Sequence, residues 1–192
     1  MQSIIPKQKQ SLRRKNATDS RIQEYKKTRK NILVTTRFNN STWSENIAYR
    51  KQHEKLGCIY PSPEQNGNQI PSDAILFVLE MNNETNKIIG IGMVRNHSIP
   101  QKYLVYSNQN YNRYAYLGKY RIDRGSMNEE EERIMKVFDI LCFTGSRHMK
   151  RLQGLKTFPI DILYRCSQIL DLVDFIAKMF KNRMSEQINE SK

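Results

Sequence analysis

Rings and cations interleave along one stretch of this chain. Tyr103, Tyr106, Tyr111, Tyr114, Tyr116 and Tyr120 follow one another closely, with Lys102, Arg113, Lys119, Arg121 and Arg124 among them. Downstream come Arg147, His148, Lys150, Arg151 and Lys156. Lys and Arg neutralise phosphates and release counterions, and aromatic faces stack unpaired or flipped bases. These residue types point to nucleic-acid binding, RNA or DNA. The candidate phosphate contacts are Arg113, Lys119, Arg121, Arg124, Arg147, His148, Lys150, Arg151 and Lys156. Tyrosines at this density also serve as packing on a half-buried sheet. His148, surrounded by cations, also reads as an ordinary surface donor.

Catalytic signatures are sparse, and no residue is assigned a catalytic role. There is no GxSxG elbow and no Cys–His pair close in sequence. A Walker loop needs Lys and a hydroxyl directly after its last glycine, whereas Gly154 is followed by Leu155 and Lys156. Metal-assisted nuclease chemistry needs several carboxylates at strand ends. Asp73, Glu80, Asp123 and Asp161 are available, but Glu80 ends a strand without an obvious partner. His53, His97 and His148 are not at zinc-ligand spacing from Cys58, Cys142 and Cys166. No metal or other cofactor is expected.

Charge supports a polyanion partner. The 192 residues carry 32 Lys and Arg against 19 Asp and Glu, a net charge of +13. Hydrophobic residues are 38% and charged residues 27%, enough for one core. The longest apolar run, Ala74 to Leu79, has the length of a strand, so no membrane association is expected. No secretory signal is read. The odd count of widely spaced cysteines points to an intracellular, reducing compartment: nucleus, cytoplasm or, for a viral protein, a virion. Oligomeric state is not legible.

The elements that must position these residues follow from pattern and punctuation. Residues 1–30 hold ten cations and two acids, Asp19 and Glu24, and read as a basic flexible arm, helical at most near Ser20 to Lys30. Ile32 to Thr36 reads as a strand. Ser41 or Thr42 is expected to cap a helix through about Lys55, which Gly57 stops. Pro61, Pro63, Gly67 and Pro71 make 61–73 a loop. Ala74 to Glu80 and Lys87 to Arg95 read as a hairpin across an Asn-rich link. Gly90 and Gly92 share one strand face there, implying close approach of backbone or ligand, or a bulge. Lys102 to Tyr106 and Arg113 to Asp123 read as further strands. Asn128 caps a helix that opens on four solvated glutamates, Glu129 to Glu132. Residues 144–157 read as a connector or strand, Ile162 to Phe180 as a final helix, and 182–192 as a polar, frayed tail. The folded domain is therefore expected over 31–181, in the α+β class.

Several stretches, taken in order, resemble the PUA-like superfamily, especially its EVE and YTH branches. ILVTT (32–36), followed by a helix containing Trp43 and Asn46, looks like the family's opening strand and helix. IPSDAILFVLE (70–80), NKIIGIGMV (86–94), YLGKYRI (116–122) and MKRLQGLKTF (149–158) resemble successive later elements. The resemblance implies a small twisted β-barrel of about five to six strands flanked by helices. It also implies a pocket for a flipped or modified base. The family's opening-strand tryptophan falls near Leu33, so Trp43, Asn46, Tyr111, Tyr114 and Tyr116 are the base-pocket candidates. The C-terminal helix is additional to the family's minimal fold.

Two other readings compete. RLQGLK (151–156) faintly resembles the pyrophosphate loop of GNAT acetyltransferases, with Lys156 where that family has glycine or alanine. A nucleic-acid packaging protein, dominated by its basic arm, is the other.

Overall fold

The computed structural model describes residues 7–66, 70–99, 103–151 and 153–190, with side chains from 18 to 186. Lys102, residues 67–69, Leu152 and both chain ends lie outside the described residues. In order, the elements are α1 (Lys7–Thr28), β1 (Asn31–Phe38), α2 (Asn40–Lys51), β2 (Cys58–Ser62), β3 (Ile75–Asn82) and β4 (Lys87–Arg95). They continue with β5 (Tyr114–Gly118), β6 (Tyr120–Asp123), α3 (Glu129–Phe143), β7 (Lys156–Thr157), α4 (Ile160–Ser167) and α5 (Leu172–Glu190).

Five strands form a mixed sheet in the order β6-β4-β3-β1-β7, and β2 pairs with β5 in a second sheet. β1 and β3 are parallel and the other pairs antiparallel. The run ILFVL is apolar throughout because both faces of the central sheet are covered. Phe77 and Leu79 face a core built with Phe138, Leu163, Ile176 and Phe180 from α3, α4 and α5. Leu76 and Val78 face a second core with Tyr60 of β2 and Tyr116 of β5.

The strands do not close into a barrel among the described residues. The chain changes sheets at Lys119: β5 ladders with β2 as far as Gly118, and from Tyr120 β6 ladders with β4. On the other side, the two-residue β7 is too short to carry the pairing further. α+β architecture with a C-terminal helix is what the sequence implied; the sheet arrangement differs.

The hairpin lies where it was expected. Asn82 Oδ1 accepts from the amides of Glu84 and Thr85, and Asn86 takes φ +54°, a left-handed conformation that Asn tolerates. The register slips between Glu80 and Met81, leaving Ile89 as a bulge. Gly90 and Gly92 make room for side chains: a Cβ at either would run into Arg121 and Glu80, or into the Tyr60 ring.

Other expectations are corrected. Asn39, not Ser41 or Thr42, caps α2, in a reciprocal capping box with Thr42. β2 runs through Pro61, tolerated because a two-stranded sheet has free edges. Residues 103–106 form no strand; an Asn112 side chain grips the Tyr106 backbone instead. The single final helix is two, because Asp171 Oδ1 accepts from the amides of Val173 and Asp174 and starts α5 anew. Ile169, between the two helices, is 95% exposed. α5 continues to Glu190 through the segment read as a tail.

The basic N-terminal segment is helical from Lys7 to Thr28. Its last turn is anchored: Tyr25 packs edge-on against Tyr164, and Arg29 pairs with Asp171 and Asp174. Among the described residues, no helix is long and apolar enough to cross a membrane.

Candidate nucleic-acid interface

β1 ends and α2 begins at one corner of the molecule, and residues 149–151 and 153–154 lie over that corner. Arg37 joins the two. Its Nε donates to the Met149 carbonyl at 2.5 Å, Nη1 to the Gly154 carbonyl at 3.4 Å, and Nη2 to Thr35 Oγ1 at 2.9 Å. All these partners are neutral oxygens, and no carboxylate of the described residues pairs with Arg37. Burial lowers its pKa to about 10. Among the described residues, the half-buried guanidinium thus pairs with no carboxylate.

Asn83 secures the same segment from β3's end: its Nδ2 donates to the Lys150 carbonyl at 3.0 Å. Lys150 Nζ in turn donates to Asn86 Oδ1 at 2.8 Å. From the opposite side comes the Tyr106–Tyr111 loop, its rings meeting edge-on at 6.4 Å. Asn112 holds that loop by accepting from the Tyr106 amide and donating to its carbonyl. Together Arg37, Lys150, Arg151, Tyr106 and Tyr111 line a hollow of about 330 Å³.

The expected residues distribute unevenly around it. Lys150, Arg151 and Tyr111 line the hollow. Trp43 does not: it packs edge-on against Phe38, with the Arg50 and Arg121 guanidinium groups 5.3 and 5.1 Å from its ring centre. Asn46 is buried, donating to the Ile59 carbonyl and accepting from Arg50. Tyr116 is core, and its hydroxyl accepts from the Asn66 amide. Tyr114 is half-buried on β5, opposite Ser62.

Two of the expected cations are structural. Arg121, its side chain 8% exposed, forks onto Glu80 and also reaches Asp123. Burial opposes its charge, but the Glu80 carboxylate outweighs that and raises its pKa. Arg124 bonds Glu132, Asp139 and the Ile88 carbonyl. At the surface, Arg147 pairs with Asp161 and Lys156 with Glu64. Arg113 is exposed beside Asn110. His148 accepts from the Lys150 amide through Nδ1. Lys119 is exposed and lies 5.5 Å from the Tyr120 ring centre, away from this hollow.

Arg37 is the lining cation that sequence reasoning missed, and Tyr106 stood in the tyrosine cluster but not among the base-pocket candidates. Arg37 follows directly on ILVTT, where a lone arginine on a strand gives no local signal. Its meaning comes from the 149–154 segment, more than a hundred residues later. No protein-family model matches the chain, and neither does any curated protein sequence.

Proposed function

We propose that this chain is a non-catalytic nucleic-acid-binding protein of PUA-like character, with its two sheets an opened counterpart of that superfamily's small barrel. The hollow between β1, the Tyr106–Tyr111 loop and Lys150, Arg151, Gln153 and Gly154 takes one unstacked base and an adjoining phosphate. One observation supports this reading: three cations and two tyrosines surround a single hollow, and Arg37 there has no carboxylate partner among the described residues. An anion bound there supplies the counter-charge, and an aromatic face supplies stacking that tolerates any base. At 330 Å³ the hollow lies at the small end of ligand pockets, suited to a base rather than a folded strand. The basic α1 adds contacts that hold phosphates without reading sequence.

The test is a binding titration of single-stranded RNA and DNA by the Lys150→Glu/Arg151→Glu variant. Both side chains are on the surface segment, so the fold is kept. Affinity at low salt is expected to fall by about tenfold or more, with a shallower salt dependence. Wild-type affinity in this variant, with an unchanged circular dichroism spectrum, removes the hollow from the interface.

A further inference from the structure

α2 has the hollow described above at its N-terminal end, where Asn39 and Thr42 contribute to the lining. A second, larger hollow of about 860 Å³ lies at its C-terminal end, lined by Arg50, Lys55, Lys119 and Tyr120, with Glu54 and Asp123 as its acids. Two further cations on this wall, Arg121 and Arg183, are already matched by Glu80, Asp123 and Glu131.

The three remaining cations form no direct ion pair among the described residues, although Arg50 lies within electrostatic reach of Glu80 and Asp123. Arg50 donates to Asn46 Oδ1 at 3.0 Å and to the Gly57 carbonyl at 3.4 Å, both neutral. Burial, and then the nearby Arg121, lower its pKa, against the opposing pull of Glu80. Lys55 and Lys119 are exposed and make no ion pair among the described residues. The second hollow thus shares cations and a tyrosine ring with the first, with five cations against the two carboxylates Glu54 and Asp123 on its wall.

From these two hollows we infer that the chain holds one single strand of nucleic acid at two points, one at each end of α2. The inference rests on the function proposed above and gives it a footprint. A helix of 12 residues is about 18 Å long. At roughly 3.4 Å per stacked nucleotide, a strand needs about five nucleotides to reach from one hollow to the other. Lys55 and Lys119 hold phosphates at the far end, and Tyr120 offers its ring to a base there.

A length series tests it: fluorescein-labelled single-stranded RNA and DNA oligomers of three to ten nucleotides, titrated by anisotropy against the full chain. Three double variants are compared with wild type: Lys55→Glu/Lys119→Glu, Lys150→Glu/Arg151→Glu, and Arg133→Glu/Lys136→Glu on α3 as a control of equal charge change. Wild-type affinity is expected to step up as length passes about five nucleotides. The Lys55/Lys119 variant loses that step. Its affinity for a ten-nucleotide strand falls about tenfold further than the control's, with a salt slope shallower than wild type by about 1.4. A Lys55/Lys119 variant no weaker than the control overturns the inference, while loss in the Lys150/Arg151 variant still upholds the first hollow. A Lys150/Arg151 variant binding like wild type overturns the reading on which both rest.

Discussion

Glu80 carries its carboxylate where water does not reach, with a side chain 1% exposed. Three features keep it there. The Tyr60 hydroxyl donates to it at 2.8 Å, Arg121 approaches through Nε and Nη2, and Gly90 opposite leaves the space. A buried ion pair adds little over a well-packed apolar pair, but removing one partner strands the other charge. Glu80→Gln is therefore expected to destabilise the fold by about 3–5 kcal/mol, measured by urea denaturation. An unchanged midpoint means that Asp123 alone suffices as the counter-charge of Arg121. Arg121 looked like a phosphate contact because a sequence does not show which arginines meet carboxylates. Residue 80 lies far from 121 along the chain, and only strand pairing through β4 brings them together.

At the scale of elements, the capping box at Asn128 and Glu131 starts α3 where the sequence reading put it. The four glutamates are nevertheless not all solvated. Glu131 is buried and forks with Arg183 of α5 at 2.6 and 2.7 Å, pinning α3 to α5. The Arg183 hydrogen bonds hold its carboxyl below the usual value of 4.5, against the opposing effect of burial. A carboxyl whose pKa is depressed in the folded state stabilises fully above its unfolded pKa and loses that contribution as pH falls through the folded one. Stability from this pair is thus expected to be complete above about pH 5 and to decline below pH 4.5. Glu131→Gln removes about 1.5–3 kcal/mol at neutral pH and flattens the acid limb. Thermal melts from pH 7 to pH 3 read both effects, and parallel curves for the two proteins contradict the assignment. Asp171 shows the converse: its capping role ends one apolar stretch and begins another, which periodicity alone reads as continuous.

At the scale of the whole molecule, +8 of the +13 net charge lies in residues 1–30, beside a folded body with its own cationic hollows. Exposed α1 cations contribute affinity by counterion release and carry no geometry. Arg21→Gln/Lys26→Gln/Lys27→Gln is expected to lower the salt slope for a single strand by roughly 2 and leave the length threshold in place. Loss of that threshold makes α1, not the folded body, the principal binder. Several features were determined by the chain's order alone: the β3–β4 hairpin, the α3 start, the α+β class and the position of the charge. Each rests on neighbours in sequence, whether alternation, Asn-rich turns, caps or composition. Tertiary structure decided which cations are taken up in ion pairs, which tyrosines are core, and that Arg37, Tyr106 and Lys150 line one hollow. Those outcomes depend on residues brought together across strands and loops distant in the chain, and no local spacing encodes such encounters.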